Sequence, residues 1–480
     1  MAKLESIMGD ISGIIWGPFV LIPLLLITGV VLTVRLRGVQ FRKLGPALRL
    51  GLLKRADDGA EGGDVSQFQA LTTALAATVG TGNIVGVATA IALGGPGAVF
   101  WMWITGILGM ASKYSEAFLA VRYRTTDDRG EVSGGPQYYL QRGIKGSFGK
   151  VLAISFAIFG AIAAFGIGNL TQGHSIAKNV EATFNFPTWG TGLALTLIAF
   201  LVLVGGIKSI GKVTAYLVPI MILFYVIAAI FILAVNLSAL PAALGSIFTE
   251  AFTGSAAAGG FLGSTIAMAM QYGMARGIFS NESGMGSAAI AAAAAKTTHP
   301  VRQGLVSMTQ TFIDTIIVVT ATALVLLVTG AWHTGEDGAS TATGEAFTHG
   351  LPGQWGHIVV TIALVMFAFS TILGWCYYGE RNVERLVGAK WVMPYRVLFS
   401  SVVFFGATAS LGLVWTFADI MNGLMAIPNL IGLLIMSGLV ARETRYYLDN
   451  DPTLTASKAE VDKFMEGRDG AIDTYEITGR

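Results

Sequence analysis

The stretch that decides the fold lies inside a long apolar segment, residues 68–93, and reads Ala76-Ala77-Thr78-Val79-Gly80-Thr81-Gly82-Asn83-Ile84-Val85-Gly86. Glycine weakens a helix by about 1 kcal/mol per residue relative to alanine. Irregular backbone at membrane depth is tolerated only where protein buries it or where it lines a cavity. The stretch therefore predicts a membrane helix that is broken near its middle, with the break facing an internal site.

A second apolar segment, from about Gly260 to Ala295, is interrupted in the same way. Its centre reads Gln271-Tyr272-Gly273-Met274-Ala275-Arg276-Gly277-Ile278-Phe279-Ser280-Asn281-Glu282-Ser283-Gly284. One interrupted segment in each half of a membrane protein is the usual sequence pointer to the central substrate and ion site of a secondary transporter. The alternative is an ordinary helix bundle in which these glycines allow close packing between helices.

The composition indicates a membrane protein. The 480 residues are 53% hydrophobic and only 12% charged, whereas soluble proteins carry about 25% charged residues. The net charge of +2 is too small to indicate a nucleic-acid partner. The single cysteine, Cys376, excludes internal disulfides and cysteine-based zinc sites. The N-terminal sequence does not have the pattern of a cleavable signal peptide.

Membrane spans need about 20 apolar residues each, and on that basis the sequence predicts eleven, near residues 11–34, 68–93, 98–121, 151–174, 189–206, 213–236, 258–290, 303–330, 355–380, 397–417 and 419–440. Short cytoplasmic loops collect lysine and arginine, and alternate connections together with the C-terminal segment hold 27 of the 31 basic residues. We therefore predict a multi-pass protein of the cell membrane, with its N-terminus outside and its C-terminus in the cytoplasm.

The order of the spans predicts an internal repeat. Setting the first span aside leaves two groups of five, each beginning with an interrupted span, and an odd number per group inverts the second group in the membrane. Inverted repeats place a transport site at their interface near the membrane midplane. The predicted regions are an extra N-terminal helix with a basic loop, two five-helix repeats and a soluble cytoplasmic tail, over residues 1–60, 61–240, 241–440 and 441–480.

The ends of a broken helix can bind ligands of both charges. A helix that stops inside the membrane leaves free carbonyls that suit a cation, and one that starts there leaves free N–H groups that suit a carboxylate. A small zwitterion bound together with Na⁺ meets both needs. The carbonyls of Ala76 and Val79 are candidates to face a cation, as is the side-chain oxygen of Asn83. The amides available to a carboxylate are those of Gly80, Thr81 and Gly82.

Polar side chains on two other spans are further candidates. Ser370 and Thr371 offer oxygen ligands of the kind that hard cations prefer; alternatively, a membrane hydroxyl bonds the carbonyl four residues earlier in its own helix. Trp375 lies on the same helix face as Thr371, either as a lid over a small substrate or as packing. Asn169 and Gln172 share a face at spacing i, i+3, as substrate contacts or as polar links between helices.

Ionisable residues within membrane spans are functional candidates by default. For Arg276 and Glu282, a gate or a structural ion pair is as well supported as a substrate contact. Asp314 is a candidate for a proton-coupling carboxylate or for a buried, hydrogen-bonded helper. The sequence lacks the H-E-x-x-H and G-x-S-x-G motifs, and its only P-loop-like segment, residues 206–212, is followed by Val213 where a hydroxyl is required. An enzyme is therefore not predicted.

Three longer blocks resemble a known family. The segment Gly94–Gly109, reading GGPGAVFWMWITGILG, resembles the signature of the alanine/glycine:cation symporter family, also called the sodium:alanine symporters. The segments Thr78–Gly86 and Arg276–Gly286 match two further blocks of that family. The resemblance implies an all-α integral membrane fold with about eleven transmembrane helices. It also implies a LeuT-like five-plus-five inverted repeat with an extra N-terminal helix and two broken helices.

The resemblance also implies a function and a site. The implied function is Na⁺-coupled symport of alanine or glycine into the cell by alternating access, in a membrane-lipid environment. Similarity to the fold implies that Na⁺ is bound by the carbonyls of Ala76, Val79 and Phe367 with the hydroxyls of Ser370 and Thr371. It implies a substrate site formed by Thr78, Gly80, Gly82, Asn83, Gln172, Gly273, Met274, Thr371 and Trp375. Two alternatives remain open: H⁺ coupling through Asp314, or a channel or sensor of the same topology.

Overall fold

The computed structural model describes residues 2–17, 19–57, 59–60, 62–253, 266–353, 355–409 and 412–466, and these are almost entirely helical. The α-helices, in chain order, are α1 Ala2–Ile15, α2 Leu21–Arg35, α3 Val39–Arg42, α4 Leu44–Leu48, α5 Gln67–Thr78, α6 Val87–Gly94, α7 Gly97–Arg122, α8 Pro136–Gly143, α9 Ser147–Phe165, α10 Thr171–Phe184, α11 Thr188–Leu203, α12 Gly206–Val235, α13 Leu240–Thr253, α14 Ile266–Asn281, α15 Ser287–Ala293, α16 Pro300–Thr311, α17 Thr320–Thr329, α18 Gly335–Gly350, α19 Trp355–Val387, α20 Val392–Thr408, α21 Gly412–Asn450 and α22 Lys458–Met465.

Shorter elements lie between these helices. Segments of π-helix cover Arg49–Lys54, Gly82–Gly86, Gly166–Leu170 and Phe312–Val319, and 3₁₀ turns cover Ala331–Thr334 and Ala389–Trp391. A short antiparallel hairpin pairs strand β1, Thr125–Thr126, with strand β2, Val132–Ser133. Single π-helical turns inside α-helices occur frequently at functional sites, and three of these segments carry polar residues singled out above.

Local sequence signals set the ends of the first interrupted helix. Ser66 caps the start of α5 in a capping box with Gln69, which satisfies backbone donors that the first turn leaves free. At the other end, α6 stops at Gly94, and Gly95 adopts φ +70°, a left-handed value that glycine takes without steric cost. Pro96 follows directly and starts the turn into α7.

Six helical stretches in the described residues are long and apolar enough to cross a membrane: Ser147–Phe184, Gly206–Val235, Pro300–Thr329, Trp355–Val387, Ala389–Thr408 and Thr416–Asn450. The pair Gln67–Thr78 and Gly82–Gly94 meets the same criterion jointly but is bent by 54° at its break. The first predicted broken helix is therefore present as a bent helix. The total of eleven spans, the inverted repeat and the orientation in the membrane remain predictions.

Several predicted span boundaries differ from the helices observed. The first predicted span, 11–34, is two helices, because the chain turns after Ile15 and the Trp16 indole N–H donates to the Asp419 carbonyl at 2.9 Å. The predicted boundary at residue 440 falls inside α21, which continues to Asn450. The following segment is packed rather than free, because α22 buries Val461 and Met465.

The packing brings both interrupted helices into the centre of the molecule. Helix α5 packs against α12 and α19, whereas α14 packs against α7 and α6. The π-helical segments Gly82–Gly86 and Phe312–Val319 contact each other. Polar side chains in these elements therefore point toward one another inside an otherwise apolar core.

Candidate functional site

The first break lies within the stretch quoted at the outset. Helix α5 ends at Thr78, and Val79 takes an extended conformation with φ −78° and ψ +90°. Asn83 bridges the break: its side-chain oxygen accepts the Gly80 amide at 2.9 Å, and its own amide N–H donates to the Gly80 carbonyl at 3.2 Å. The Asn83 oxygen, predicted as a cation ligand, thus holds the irregular backbone in this structure.

Two hydroxyls on α19 converge on the carbonyl end of α5. Ser370 and Thr371 each donate to the Ala76 carbonyl at 3.1 Å. They also donate to Phe367 in their own helix, at 2.8 and 3.0 Å respectively. The alternative of a bond within the same helix is therefore observed, shared with a bond to α5, and the role of these hydroxyls as cation ligands stays a prediction. A hydroxyl has two acceptor lone pairs besides its single donor, so each can donate to a carbonyl and still offer oxygen to a cation.

Four of the five predicted sodium ligands are therefore in direct contact. The fifth, Val79, is fully buried at the break three residues after Ala76. Helix α19 approaches α5 closely because Gly374 has no side chain: a Cβ there would lie 2.7 Å from that of Ala77. The sequence thus places a glycine where the two helices must touch to bring hydroxyls and carbonyls together.

Gly80 leaves room between Thr371 and Gln172. A Cβ at Gly80 would lie 2.5 Å from the Thr371 hydroxyl and 3.4 Å from the Gln172 side-chain oxygen. Gln172 reaches the break from α10, donating to the Thr81 hydroxyl at 3.2 Å and accepting from the Thr81 amide at 3.4 Å. Thr78 is buried and donates within its own helix to Ala74 at 3.1 Å. The Gly80 backbone is therefore in close contact with Thr371, and any side chain at position 80 would displace that hydroxyl.

Asn169 and Gln172 do not act together, contrary to the shared face predicted for them. Asn169 donates to the Phe399 carbonyl on α20 at 2.6 Å, whereas Gln172 points to the first break. The reason is the π-helical segment Gly166–Leu170, because a wider turn changes which residues lie above one another. Asn169 therefore links two helices, and Gln172 belongs to the site.

The second break begins at the C-terminal end of the predicted stretch Gln271–Gly284. Helix α14 is continuous through Asn281, and the irregular backbone covers residues 282–286. Glu282, Gly284 and Gly286 have positive φ values of 54°, 88° and 82°. Two of these three residues are glycines, which adopt such conformations readily. The segment 254–265, which includes the start of the predicted seventh span, lies outside the described residues.

Gly273 and Met274 consequently lie in regular helix. A Cβ at Gly273 would lie 2.3 Å from the Ala98 carbonyl on α7, so this glycine permits close helix packing. Met274 lines a small cavity with α2 and α7 residues, among them Ile22 and Thr105. Their contact with a substrate remains a prediction, and the structure places both against α7.

Phe279 and Ser280 face the first break instead. A Cβ at Gly82 would lie 3.2 Å from the Phe279 ring and 3.2 Å from the Ser280 backbone. Sequence reasoning missed these two residues. The signal in the sequence is the pair Gly284 and Gly286, because glycines that can adopt positive φ values mark the end of helix α14. Phe279 and Ser280 lie in the last turn of that helix.

Asp314 connects the two interrupted helices. Its carboxylate accepts from Asn83 of the first at 2.7 Å, from Ser280 of the second at 2.9 Å, and from the neighbouring Thr315 at 3.0 Å. It is fully buried. Since each of these partners donates, the surroundings satisfy an ionised carboxylate. Asp314 is thus a buried, hydrogen-bonded group at the junction of both broken helices.

Trp375 lies beside the site on α19. Its side chain is 1% exposed and packs on Gly168, where a Cβ would lie 2.1 Å from that of Trp375. Its indole N–H has no hydrogen-bond partner of normal geometry among the described residues.

Arg276, further out on α14, pairs with Asp419 at 3.8 Å and lies over the Phe279 ring. The structure therefore gives Arg276 an ion pair.

A comparison with protein families finds one match over nearly the whole chain. The profile described as "Sodium:alanine symporter family" matches residues 1–461. Among curated relatives, the sodium/alanine symporter AgcS of Methanococcus maripaludis is 52% identical over 447 residues, which cover 92% of this chain and 97% of that protein. The probable sodium/glutamine symporter GlnT of Bacillus subtilis is 38% identical, with 92% and 91% covered.

Two further similarities bear on ion coupling and on fold. The putative sodium/proton-dependent alanine carrier protein YrbD of Bacillus subtilis is 36% identical over 451 residues, 90% of each chain. Among solved structures, MhsT in complex with L-phenylalanine aligns with a TM-score of 0.55 at 12% identity, covering 80% of this chain and 99% of that one. This last likeness shows a shared LeuT-like helical fold.

Proposed function

The chain belongs to the sodium:alanine symporter family, a family of transporters rather than enzymes with sodium as the co-transported ion, and from that premise we propose that it carries alanine and glycine into the cell. The single observation that carries this proposal is the convergence of Ser370 and Thr371 on the Ala76 carbonyl, directly beside Gly80. The oxygens proposed to bind the cation and the glycine proposed to face a small substrate are therefore in contact with each other.

The proposed sodium site consists of the carbonyls of Ala76, Val79 and Phe367 with the hydroxyls of Ser370 and Thr371. Support comes from the short contacts between α5 and α19 and from the oxygen-only chemistry of the set, which suits a hard cation. Helix α5 ends here, so its partial negative charge adds to the attraction. Sodium bound in this way ties the first broken helix to α19.

The proposed substrate site lies across the same break, against Thr78, Gly80, Gly82, Asn83, Gln172, Thr371 and Trp375. The amides of residues 80–82 begin the next helical segment and are the proposed donors to a substrate carboxylate. In this structure Gly80 donates to Asn83 and Thr81 to Gln172, so a bound carboxylate would replace those two acceptors. The narrow space at Gly80 favours a hydrogen or a methyl group as the substrate side chain. A pocket lined by glycine and closed by Trp375 would exclude branched or aromatic amino acids.

We propose alternating access between two inverted five-helix repeats as the transport mechanism. Sodium at the contact between α5 and α19 favours the substrate-receptive state, and occupation of both sites permits rearrangement and release inside. Coupling of this kind requires that each ligand bind the two states with different affinity. The eleven spans and an outside N-terminus belong to the same proposal.

Uptake of labelled alanine into proteoliposomes tests this function. An inward Na⁺ gradient should drive accumulation above equilibrium, and replacing Na⁺ with K⁺ should abolish it. A panel of glycine, alanine, valine, leucine and glutamine measures the size limit. Flux to equilibrium without accumulation would indicate a channel, and binding without flux a sensor.

A second coupling ion is a candidate because of Asp314. This buried carboxylate accepts hydrogen bonds from both broken helices, and the name of the relative YrbD includes both sodium and proton dependence. If protons substitute for sodium, a pH gradient alone should drive alanine uptake in Na⁺-free proteoliposomes. The same measurement on Asp314→Asn assigns any such uptake to this residue.

A further inference from the structure

Arg302 is a buried arginine that the proposed mechanism does not use. It lies in the first turn of α16, and its side chain is 4% exposed. A charged group in such a place is costly unless it is paired and hydrogen-bonded. The partners of its guanidinium group therefore define its role.

One side of Arg302 contacts the C-terminal segment. Its guanidinium group donates to the Asp451 carboxylate at 2.8 Å, to the Tyr447 hydroxyl at 2.7 Å and to the Ala456 carbonyl at 2.5 Å. The Tyr447 hydroxyl also donates to Asp451 at 3.0 Å. Asp451 in turn accepts the amides of Thr455 and Ala456, at 2.9 and 3.3 Å. These bonds fix the turn between α21 and α22.

The other side of Arg302 contacts the connection that leads into the first broken helix. It donates to the Asp57 carboxylate at 2.5 Å, and Asp57 also accepts the Thr298 amide and hydroxyl, both at 2.7 Å. Thr297 donates to Asp57 at 3.3 Å and accepts from Gln67 at 2.9 Å. Gln67 is the first residue of α5. A continuous chain of hydrogen bonds thus runs from the C-terminal segment through Arg302 to the start of α5.

The C-terminal segment that Arg302 contacts is itself anchored to the rest of the molecule. Helix α22 packs through two buried side chains, and its Phe464 carbonyl accepts from the Tyr446 hydroxyl on α21 at 2.7 Å. Lys43, between α3 and α4, donates to the Pro452 carbonyl at 2.6 Å. The segment therefore provides a fixed support against which the start of α5 is held.

We propose that Arg302 is a positioning residue for the first broken helix, and that it holds α5 closed on the predicted cytoplasmic side. The break separates α5 from the following half of the helix by a bend of 54°, so α5 can move as a unit. Release of substrate into the cell then requires the contact between Arg302 and the C-terminal segment to open. This inference rests on the proposed alternating-access function, and it adds a residue that lies outside the proposed sodium and substrate sites.

The test is cysteine labelling of α5 in the full-length protein in lipid nanodiscs. The native Cys376 is buried. Ala70→Cys introduces a cysteine one turn into α5, at a position that is 1% exposed, so its labelling by a water-soluble maleimide reports opening of this helix. In the Asp451→Asn background the labelling should become about tenfold faster, the effect of losing one hydrogen bond between charged groups.

A cysteine on another buried helix separates positioning from general stability. Ala157→Cys places the same side chain on α9, at a position that is fully buried. The readout is the ratio of the labelling rates at positions 70 and 157, because general destabilisation raises both rates together. We expect Asp451→Asn to raise this ratio. An unchanged ratio overturns the proposal, since the network around Arg302 would then have no specific effect on α5.

A milder variant serves if Asp451→Asn does not fold. Tyr447→Phe removes only the hydroxyl that joins Arg302 and Asp451. It keeps the ring, which stacks on His299 with centroids 4.4 Å apart. We expect a smaller rise of the same ratio, about threefold, as for one neutral hydrogen bond. An unchanged ratio in this variant contradicts the proposal.

The matched control is Thr453→Ala, which removes an exposed hydroxyl from the same turn, where it pairs with Thr455 at 2.7 Å. We expect its labelling ratio to equal that of the wild type. A rise as large as that of Tyr447→Phe would show that any substitution in this turn opens α5, and it would overturn the assignment to Arg302.

The labelling test and the transport test fail separately. If the wild-type protein shows no Na⁺-driven alanine uptake, the proposed function fails, whatever the labelling ratio. If the wild type transports and the ratio stays unchanged in the variants, only the inference about Arg302 fails.

Discussion

The two breaks differ in what holds them. The first is contacted directly by neutral groups: the hydroxyls of Ser370 and Thr371 bind the Ala76 carbonyl, and the side-chain amides of Asn83 and Gln172 bind residues 80 and 81, with the Asp314 carboxylate behind Asn83. The second, at residues 282–286, is bound by the charged side chains of Lys113 and Glu116. The carbonyl end of the first break contacts neutral hydroxyls, so a mobile cation can bind there. At the second break the Lys113 ammonium group already provides the positive charge next to the helix end.

This difference indicates a division of labour between the two interrupted helices. We expect the first to change with ligand occupancy, because the groups that contact its carbonyl end are neutral hydroxyls. The second is built to stay in place and to present Phe279 and Ser280 to the first. Five experiments test whether the two breaks differ in this way.

The largest effect is expected for Gly80→Ala. The added methyl group would lie 2.5 Å from the Thr371 hydroxyl, which is closer than van der Waals contact allows. The hydroxyl or the backbone of the break must therefore shift. We expect alanine uptake to fall by at least about a hundredfold, equivalent to roughly 3 kcal/mol. Gly86→Ala is the matched control, because a Cβ there meets no atom within 4 Å. Equal initial uptake rates in the two variants would remove the first break from the site.

Asp314→Asn should have the next largest effect. The substitution keeps the shape but removes a carboxylate that accepts from both broken helices, and hydrogen bonds to charged groups contribute about 1.5–3 kcal/mol each. We expect the maximum rate of Na⁺-driven uptake to fall about thirtyfold, in line with the loss of one or more such bonds. Asp462→Asn is a control that removes a half-exposed carboxylate on α22, where it pairs with Lys458. A wild-type rate for Asp314→Asn would show that the two breaks work without this link.

Thr371→Ala should weaken sodium binding. It removes one of the two hydroxyls on the Ala76 carbonyl, and the Na⁺ concentration for half-maximal uptake should rise about tenfold, which is about 1.4 kcal/mol. Thr371→Ser keeps the hydroxyl and should stay close to the wild type. An unchanged sodium dependence in Thr371→Ala, with folding intact by thermal denaturation, argues against a cation at the first break.

Trp375→Ala should relax the size limit. Removal of the indole opens space beside Thr371, and the uptake ratio of leucine to alanine should rise at least about tenfold, the lower end of the effect of one methylene group in a pocket. Trp391→Ala, a substitution of a half-exposed tryptophan, controls for general effects. If Trp375→Ala lowers only thermal stability and leaves the ratio unchanged, the indole is packing rather than a lid.

The smallest effect concerns backbone protection. Saturating Na⁺ should slow amide hydrogen exchange around residues 76–83 by about threefold, because the bound ion stabilises the closed backbone against local opening. Exchange at residues 282–286 should change less, since Lys113 and Glu116 already hold that segment. Equal slowing of both segments, measured against the same protein in K⁺, would show that the two breaks respond to sodium alike.

The sequence located the first break and the helix that faces it. Glycines, a threonine pair and an asparagine occur together at Thr78–Gly86, and the break lies inside that stretch. The hydroxyl pair on α19 also meets the predicted carbonyls. These predictions succeeded because polar groups that lack partners in a membrane interior must find one another, whatever the details of the packing.

The sequence placed the second break only within the broad stretch Gln271–Gly284, because glycine serves two purposes that look alike in a sequence. Gly273 and Gly277 lie in regular helix and let α14 approach Ala98 and Thr105 on α7. Gly284 and Gly286 provide positive φ values at the break itself. Whether a glycine allows close helix packing or provides a positive φ value depends on the surfaces of α7 and α21 that contact it. The residues of those surfaces lie far away in the sequence.

What the sequence alone determined is the chemistry: a membrane chain with two interrupted helices, a set of uncharged oxygens on one of them, and a family of sodium-coupled transporters. The tertiary structure determined which side chains contact each break. Neutral hydroxyls contact the first, and a buried lysine and a buried glutamate contact the second. The physical reason is that residue type fixes which contacts a group requires, whereas the packing of distant helices fixes which group provides them.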